Sequence, residues 1–320
     1  MTRPRLPALG LGCAALGNLY TAVTDADAAA TLSAAWDQGI RYFDTAPYYG
    51  HGLSETRLGR FLSGSEAAGA LVSTKVGRSL RASAGEVPDT GFVDAAPFTP
   101  YFDYSADAVR QQLDGSLTRL GRERLDLVLV HDIGAQTHGG AHAEIFSAAL
   151  GGALPALAAL RTQGVVGAIG IGVNEVEVCL ETLAYADLDF ILLAGRYTLL
   201  DQTAAAELLP LCQRRGVQVI VGGPYNSGVL AGGDHYDYAA VPSPIVARVS
   251  RLRAVCSAHG VSLAAAALHF PLLHPAVVSV VPGARSVAEV TANAAYLREA
   301  PPAALWVELR HEGLLPEAAA

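Results

Sequence analysis

Short, almost uninterrupted hydrophobic runs recur along the chain and determine its predicted architecture. Each run is rich in Val, Ile and Leu and lacks the alternation of polar and apolar residues that a half-exposed strand shows. Each run therefore predicts a strand that is covered on both faces. We predict eight such strands, at 8–13, 40–45, 70–75, 125–130, 167–173, 188–193, 217–221 and 276–281.

Segments with helical spacing of apolar residues separate these strands. Thr24, with Asp27 three residues later, predicts a capped helix start. The predicted helices are 25–38, 54–61, 106–120, 154–163, 175–185, 204–215, 244–259 and 286–297. This alternation predicts an α/β fold, a closed (β/α)8 TIM barrel that occupies residues 1–320 as a single domain.

A doubly wound open sheet is the competing architecture. It would need a glycine-rich phosphate turn between an early strand and the helix behind it. The glycines of residues 10–17 have the wrong spacing for that fingerprint, and no helical pattern directly follows them. The barrel is therefore favoured.

Two long connections interrupt the alternation, and we predict both as loops at the carboxyl ends of the strands. The first, residues 77–104, follows the third strand and carries five aromatic residues among Gly, Pro and Ser. The second, residues 132–152, follows the fourth strand. Long loops at this end of a barrel are usually functional. A ligand pocket and packing within the loop explain the aromatic side chains equally well.

Composition and charge narrow the class of protein. Hydrophobic residues make up 51% of the chain and charged residues 16%, which permits a large core and argues against disorder. The net charge of −8 argues against a nucleic-acid partner, because phosphate backbones require a basic surface. The four cysteines have no short spacing, which indicates a reducing, cytoplasmic location. His and Pro residues break the apolar run 263–281, so no membrane span is predicted.

Polar residues with complementary proton chemistry stand at the carboxyl ends of successive predicted strands. Asp44 and Tyr49 follow the second strand, Lys75 ends the third, and His131 follows the fourth. Each alone has an ordinary structural explanation, but a parallel barrel brings these ends to one rim. A phenol titrates at about 10, and an ammonium held by a carboxylate stabilises the phenolate. We therefore predict that the pKa of Tyr49 is lowered, which suits acid–base catalysis near neutral pH.

The motifs around these residues resemble those of the aldo-keto reductase family. The matching segments span almost the whole chain: DTAPYYG at 44–50 followed by Ser54 and Glu55, STK at 73–75, VHD at 130–132, IGIGVN at 169–174 and VPGAR at 281–285. The resemblance implies a barrel that binds a nicotinamide cofactor and catalyses oxidation or reduction. It assigns Tyr49 as general acid and base, and His131 as the residue that positions the substrate oxygen. Lys75 and Asp44 would tune Tyr49.

The same resemblance implies where the cofactor binds. Asn174 would hold the nicotinamide carboxamide, and the loop after the seventh strand would embrace the pyrophosphate. That loop consists of Gly223, Pro224, Tyr225, Asn226 and Ser227. The adenosine half would bind after the eighth strand, where the helix beginning near Ser286 adds backbone donors. The residues implied there are Pro282, Gly283, Ala284, Arg285, Glu289 and Asn293.

Two positions near the expected nicotinamide depart from the family pattern. Ala194 stands where many members have a glutamine that contacts the carboxamide. Gly222 stands where many members have an aromatic residue that stacks on the nicotinamide. Tyr197 or Tyr225 would take over that contact.

The residues after the last strand bear on the choice of cofactor. Gly283 and Glu289 stand where NADP-preferring members have Lys and Arg. A carboxylate repels the 2′-phosphate of NADP and accepts a bond from a free ribose hydroxyl, so NAD is the predicted cofactor. Arg285 is the argument for NADP, because it can pair with a phosphate.

With these departures, the segments HDIGAQTHG at 131–139, LAGRYTLLDQ at 193–202 and PYNSGVLAGG at 224–233 resemble those of a bacterial subgroup. Its members are NAD-dependent dehydrogenases that oxidise C1 of free sugars such as L-fucose, L-galactose or D-arabinose. The same subgroup contains pyridoxal 4-dehydrogenase. Both kinds of substrate are cyclic hemiacetals oxidised to lactones, so one mechanism serves either. The candidate substrate contacts are Tyr48, Asp132, His138 and Trp306. The sequence leaves the individual substrate and the oligomeric state open.

Three other functions compete with this prediction. A general NADPH-dependent aldehyde or ketone reductase would use the same catalytic residues. A non-catalytic nicotinamide-binding regulatory protein would not need the complete set of four. A metal-dependent hydrolase is suggested by the His, Asp and Glu residues at 131–144, but their spacing matches no compact ligand motif, so no metal is predicted.

Overall fold

The hydrophobic runs form the parallel strands of a barrel, as predicted. The computed structural model describes residues 3–64, 67, 69–85, 87–237 and 239–316. Its strands are β1 (Leu11–Gly12), β2 (Tyr42–Asp44), β3 (Leu71–Val76), β4 (Arg78–Ala82), β5 (Phe98–Phe102), β6 (Leu125–His131), β7 (Val166–Val173), β8 (Phe190–Ala194), β9 (Gln218–Gly222), β10 (His235–Tyr236), β11 (Ala239–Ala240) and β12 (Val277–Val281). The parallel sheet has the order β1-β2-β3-β6-β7-β8-β9-β12. Parallel bridges from Leu9 to Val280 and from Gly12 to Gly283 join its two edges.

Helices surround this barrel. They are α1 (Asp25–Asp37), α2 (Leu53–Leu62), α3 (Ala106–Leu120), α4 (Ala135–His138), α5 (His142–Ala148), α6 (Leu154–Thr162), α7 (Val176–Tyr185), α8 (Leu208–Arg215), α9 (Ser243–Ala258), α10 (Leu263–His269), α11 (Val287–Arg298) and α12 (Ala303–His311). Thr24 caps α1 by accepting a hydrogen bond from the backbone N–H of Asp27, as the sequence predicts. The alternation of strands and helices confirms the predicted (β/α)8 architecture.

Two hydrophobic layers hold the strands. Leu127 and Leu129 of β6 belong to a cluster that fills the barrel, whereas Val128 and Val130 belong to a second cluster that packs against the helices. Successive side chains of a strand point to opposite faces. Both faces of each strand are therefore covered, which explains why the sequence shows continuous hydrophobicity and no alternation.

The connection after β3 is not the simple loop that we predicted. It contains an antiparallel hairpin in which β4 pairs with β5, with Arg78 opposite Phe102 and Ala82 opposite Phe98. Proline is tolerated in such an edge strand, and Pro100 lies within β5. The Gly and Pro content of the segment therefore concealed a short strand pair. Residue 86 of this segment lies outside the described residues.

Gly77 directs the chain from β3 into the hairpin. Its φ angle is +106°, a conformation that side chains other than glycine rarely adopt. A Cβ atom at this position would lie 2.3 Å from Cε1 of Tyr104, so the ring of Tyr104 also excludes a side chain. Both constraints fix the point at which the hairpin leaves the barrel.

The connection after β6 is also more ordered than we predicted. Residues 135–162 form a nearly continuous helical stretch with a turn at Gly139–Ala141 and a π-helical turn at Ala149–Ala153. Its glycines indicated a loop, but Gly152 lies where a Cβ atom would come 2.6 Å from the Tyr104 carbonyl oxygen. These glycines permit close packing.

By length and composition alone, the same stretch could cross a membrane, because it has 28 residues and contains an 18-residue window with a mean hydropathy of 1.6. In the structure, 33% of its apolar window is buried. Ala149, Leu157 and Leu160 pack in the outer hydrophobic layer of the barrel. The apolar character of the stretch thus has a role in the helix layer.

Candidate active site

Strand register brings the predicted catalytic residues to one rim of the barrel. Asp44 ends β2 opposite Ser73 of β3, and Lys75 of β3 lies opposite Leu129 of β6. His131 ends β6 and lies opposite Gly172 of β7. Parallel strands in register carry these side chains to the same, carboxyl-terminal end. The loop that follows β2 adds Tyr49.

Asp44, Lys75 and Tyr49 form one buried hydrogen-bonded group. The Lys75 ammonium lies 2.7 Å from Oδ2 of Asp44, 3.0 Å from the Tyr49 hydroxyl and 2.9 Å from the Thr45 carbonyl oxygen. The Ser73 hydroxyl donates to Oδ1 of Asp44 at 2.6 Å. Burial lowers the pKa of Lys75, but Asp44 and Tyr49 more than reverse this and raise the pKa above its usual value. Lys75 is therefore a permanent cation beside the phenol.

Tyr49 is held by close backbone contact between two loops. A Cβ atom on Gly17, in the loop after β1, would lie 2.6 Å from the carbonyl carbon of Tyr49. Gly50, which follows Tyr49, has a φ angle of +62° and approaches the Gly17 carbonyl equally closely. The Ser54 hydroxyl donates to the Cys13 carbonyl oxygen at 2.8 Å and so fixes the end of the same loop. The phenol is positioned by this packing.

The buried Glu55 shows why the Ser54–Glu55 pair belongs to the motif. Its carboxylate accepts from the Thr74 hydroxyl at 2.6 Å and from Nε of Arg119 at 2.7 Å. It thereby connects α2 to β3 and α3. Glu55 supports the strand that carries Lys75. These contacts do not reach the tetrad, which consists of Asp44, Tyr49, Lys75 and His131.

The pKa of Tyr49 departs from the sequence prediction. Burial raises the pKa of the phenol above its ordinary value, and the opposing effect of Lys75 is smaller. The prediction of a lowered pKa was therefore wrong for this structure, because it counted the neighbouring cation and not the loss of water. At neutral pH Tyr49 is a proton donor.

His131 completes the tetrad as a neutral ring. Burial lowers its pKa to about 3, and the nearby Asp132 carboxylate only partly opposes this effect. The ring stands nearly perpendicular to that of Tyr49, with 6.0 Å between centroids. Its Nδ1 atom is buried without a hydrogen-bond partner among the described residues. A neutral imidazole can donate one hydrogen bond to a substrate oxygen without carrying charge.

We expect His131 to make folding less favourable in acid. Its pKa is about 3 in the fold and about 6.5 in an unfolded chain, so the unfolded state binds more protons between these values. Its contribution to stability is complete above pH 6.5 and falls by about 1.4 kcal/mol per pH unit below it. Urea unfolding across this range should show a shallower pH dependence for His131→Asn than for the parent.

The matched control for this measurement is His311→Asn, because the His311 side chain is 85% exposed. It should leave the pH dependence unchanged. An equal slope for the parent and His131→Asn would contradict a buried, neutral His131.

Arg78 joins the site, although our sequence reasoning did not identify it. Its Nη2 atom lies 2.5 Å from Oδ2 of Asp132. Its guanidinium carbon lies 3.8 Å from the centre of the Tyr48 ring and 4.7 Å from that of Phe102. Only knowledge of the hairpin, which the sequence did not predict, could have indicated Arg78, since the residue enters the site as the first residue of β4. Two predicted substrate residues, Tyr48 and Asp132, are thereby brought together beside His131.

His138 lies close to the same group but serves as an anchor. Its Nε2 atom is 2.7 Å from the Asp132 carbonyl oxygen and 3.2 Å from the Tyr104 hydroxyl. Its ring packs edge-on against Phe102 at 4.5 Å. These contacts tie the helical segment after β6 to the hairpin.

Of the two explanations that the sequence left open for the aromatic residues after β3, Phe92 fits a ligand pocket, and the exposed Phe98 and Tyr101 fit neither. The Phe92 ring packs against those of Tyr48 and Tyr49, with 5.3 and 6.0 Å between centroids, so it lines one side of the tetrad. Phe98 and Tyr101 are 38% and 41% exposed on the hairpin.

Trp306 is not brought to this group. It is buried in the outer hydrophobic layer, with its ring 6.3 Å from that of Phe270. Its apolar position in α12 is explained by packing, and the structure gives no support to its assignment as a substrate contact.

The loop after β9 is a tight turn with left-handed backbone. Gly223, Asn226 and Ser227 all have positive φ angles, of 57°, 47° and 60°. The N–H groups of Asn226 and Gly228 donate to the Gly223 and Tyr225 carbonyl oxygens at 2.9 and 3.1 Å, so the turn is held by its own backbone. The Asn226 carbonyl oxygen of the side chain is buried without a partner among the described residues. Tyr225, one of the two residues expected to stack on the nicotinamide, is turned inward. Its hydroxyl donates to Oδ1 of Asn293 at 2.7 Å.

Arg285 and Glu289 pair with each other after β12. The Glu289 carboxylate accepts from the Arg285 backbone N–H at 2.9 Å and from its Nε at 3.0 Å. Ser286 caps the following helix α11. Arg285, the sequence argument for NADP, and Glu289, the sequence argument for NAD, therefore form an ion pair with each other.

Arg196 links the loops around the expected nicotinamide position. Its Nε donates to the Asn174 carbonyl oxygen at 2.8 Å, and its other nitrogens pair with Asp201 and Asp237. Ala194 and Gly222 are register partners at the ends of β8 and β9. A Cβ atom on Gly222 would lie 3.1 Å from Cδ2 of Leu192 and 3.5 Å from the Cβ atom of Ala194, so the two departures lie next to each other and little room is left for a side chain at 222.

These features fit a nicotinamide dinucleotide. The unpartnered Asn226 oxygen in the β9 loop offers an acceptor, and the residues at 194 and 222 place no large side chain at the ends of β8 and β9. Asn174 and the residues at 282–293 stay predictions as cofactor contacts.

Comparison with known proteins agrees with this geometry. Residues 8–303 match the model of the aldo/keto reductase family. The chain is 45% identical to pyridoxal 4-dehydrogenase of Microbacterium luteolum, over 96% of this chain and 94% of the relative. It is 41% identical to D-threo-aldose 1-dehydrogenase of a Pseudomonas species, over 97% and 95%.

A solved structure shares the fold. An aldo-keto reductase from Bacillus halodurans in its holo form superposes with a TM-score of 0.74, at 24% identity and over 100% of both chains. The chain is therefore an oxidoreductase that belongs to the aldo/keto reductase family.

Proposed function

We propose that the protein oxidises the C1 hemiacetal of a free aldose to a lactone with NAD as the hydride acceptor. The observation that carries this proposal is the buried Asp44–Lys75–Tyr49 group beside a neutral His131. The 41% identity to an aldose 1-dehydrogenase supports C1 oxidation. L-fucose, L-galactose and D-arabinose are the sugars that we propose.

The four residues of the tetrad have separate roles in proton transfer. A bound nicotinamide dinucleotide supplies the site that accepts the hydride from C1. Tyr49, in its phenolate form, takes the proton of the C1 hydroxyl, so that the C1–H bond breaks as a carbonyl forms. Lys75 stabilises that phenolate from 3.0 Å, and Asp44 holds Lys75. His131 donates a hydrogen bond to the same substrate oxygen and orients it.

We expect oxidation to become faster as pH rises. Only the phenolate form of Tyr49 can take a proton, and burial raises the pKa of this phenol. Below that pKa, each pH unit therefore increases the reactive fraction about tenfold. The pH dependence of kcat/KM for aldose oxidation would show this rise, and the residual rate of Tyr49→Phe should lack it. A profile that falls with pH would exclude Tyr49 as the base.

Pyridoxal is the second candidate substrate, supported by the 45% identity to a pyridoxal 4-dehydrogenase. Its cyclic hemiacetal would undergo the same oxidation. A parallel assay of NADH formation with the three aldoses and pyridoxal tests the proposed function. Turnover of an aldose at the highest kcat/KM supports it, and preferred turnover of pyridoxal replaces it with the second candidate.

The remaining alternatives both give no NADH formation in that assay, and NADPH consumption and nucleotide binding distinguish them. A general reductase would oxidise none of the four compounds and would consume NADPH with simple aldehydes. A regulatory protein would bind a nicotinamide nucleotide without turnover in either direction.

NAD is the proposed cofactor because Glu289 both occupies Arg285 and adds negative charge where a 2′-phosphate would lie. The ion pair uses the Arg285 Nε at 3.0 Å, so a phosphate that bound Arg285 would lie next to the Glu289 carboxylate and be repelled by it. Both side chains are about half exposed, at 52% and 41%.

We expect Glu289→Gln to tighten NADP binding. The substitution removes a repulsive charge and releases Arg285 for a charge-assisted hydrogen bond, which together correspond to roughly 10–100-fold in Kd. NAD binding should change little. Titration of protein fluorescence with each nucleotide measures both constants, with the exposed Glu299→Gln as the control. Tighter binding of NADP than NAD by the parent would refute the proposal.

A further inference from the structure

Asp132 occupies a strained position next to the tetrad. Its φ angle is +45°, which is unusual for a residue other than glycine. Its backbone N–H donates to the Gly172 carbonyl oxygen at 3.0 Å, so the bend at the end of β6 is fixed by β7. Strained backbone of this kind is concentrated at functional sites. The bend turns the carboxylate back toward His131.

The carboxylate lies beside the atom that would face the substrate. Oδ2 of Asp132 is 3.4 Å from Nε2 of His131. A hydrogen-bond acceptor therefore stands next to the imidazole nitrogen that would hold the reacting oxygen. Two oxygens on neighbouring carbons are separated by about a hydrogen-bond length, so a substrate with vicinal oxygens can meet both groups at once.

Arg78 keeps this carboxylate in place. The two side chains form an ion pair and are only 13% and 18% exposed. The guanidinium is enclosed by the Tyr48 and Phe102 rings, which restrict it to one orientation. Its Nε atom is buried and has no partner among the described residues. A buried donor without a partner is costly, and a substrate oxygen can satisfy it.

We propose that Arg78 and Asp132 select substrates that carry a free hydroxyl on the carbon next to the reacting C1. Asp132 accepts the hydrogen bond of this hydroxyl, and Arg78 holds the carboxylate and donates to the same oxygen. This inference rests on the proposed aldose oxidation and adds the substrate class to it: 2-hydroxy aldoses are accepted and 2-deoxy aldoses are discriminated against.

The test compares an aldose with its 2-deoxy analogue. D-arabinose and 2-deoxy-D-ribose form such a pair, because they differ only at C2, and the other active aldoses are treated in the same way. A site that pairs buried polar groups with a hydroxyl disfavours the analogue that lacks it, so we expect a ratio of kcat/KM of about 100 for the parent. The double variant Arg78→Met/Asp132→Ala removes both charges together and should bring this ratio close to one.

Arg81→Met is the matched control. Arg81 lies on the same strand β4, is exposed, and stacks on Tyr101 at 5.6 Å. Its substitution should leave the substrate ratio unchanged. Because Tyr49→Phe is expected to block turnover, calorimetric binding of the two sugars to that variant with NAD measures the same preference as a ratio of Kd values.

The possible outcomes distinguish failure of the inference from failure of the proposed function. Comparable kcat/KM for both sugars in the parent, or an unchanged ratio in the double variant, overturns the inference alone. An unchanged ratio in the double variant would mean that Arg78 and Asp132 serve only the fold and do not contact the substrate. Absence of NADH formation with every aldose overturns the proposed function and the inference together.

Discussion

Tyr49→Phe is expected to lower kcat/KM for aldose oxidation by about two to four orders of magnitude, because it removes the group that takes the hydroxyl proton. The ring remains, so its packing against Phe92 at 6.0 Å is preserved. The loss should appear in kcat, since the hydroxyl contributes to proton transfer more than to cofactor binding. Steady-state NADH formation measures the loss of kcat, and fluorescence titration with NAD measures whether cofactor binding has changed.

Tyr185→Phe provides the control, because Tyr185 is 73% exposed on α7. It makes the same chemical change far from the tetrad and should retain the parent rate. A Tyr49→Phe enzyme that kept parent activity would remove the phenol from the mechanism. The His131 imidazole would then be the only tetrad group left to take the proton.

Lys75→Met is expected to reduce both stability and activity. The Lys75 and Asp44 side chains are 1% and 5% exposed and lie 2.7 Å apart. Removal of one partner leaves an uncompensated buried charge on Asp44, which costs about 3–5 kcal/mol. Activity should fall by about two orders of magnitude or more, because no cation stabilises the phenolate.

A second substitution separates these two effects. In Lys75→Met/Asp44→Asn the buried charge is also removed, so the free energy of unfolding in urea should recover toward that of the parent. The rate of oxidation should stay low, since Tyr49 still lacks its cation. Recovery of activity together with stability would show that Lys75 serves the fold alone.

The barrel could be predicted from the sequence because its strands are covered on both faces. Continuous hydrophobic runs such as that of β7, which is buried along its whole length, leave few alternative structures. The rim residues followed from the same reasoning. In a parallel barrel the carboxyl ends of all strands lie at one rim, so Asp44, Lys75 and His131 could be grouped without any contact being known.

The hairpin and the helix after β6 could not be predicted, because their local composition favours loops. Pro100 within β5 and the glycines of the β6–β7 connection are permitted only by tertiary surroundings, such as the Tyr104 backbone that packs against Gly152. Arg78 was missed for the same reason. Nothing in an isolated arginine after a strand indicates that two aromatic rings will enclose it.

The sign of the Tyr49 pKa shift shows a different limit. The sequence identifies the neighbouring cation, but the effect of burial depends on how much water the folded loops exclude. Contacts of the Gly17 and Gly50 backbones with each other contribute to that exclusion, and spacing alone does not indicate them.

The hairpin that carries Arg78 also affects how new specificities can arise on this barrel. Its strands pair with each other outside the barrel, and its ends are fixed at Gly77 and Tyr104. Asp44, Tyr49 and Lys75 belong to other segments. The segment between its two strands also contacts the loop that carries Tyr49, because the Ala96 N–H donates to the Gly50 carbonyl oxygen at 3.0 Å and Phe92 packs against the Tyr49 ring. A change in this segment that alters the choice of sugar would therefore also alter the surroundings of the phenol, so specificity and reactivity are expected to evolve together.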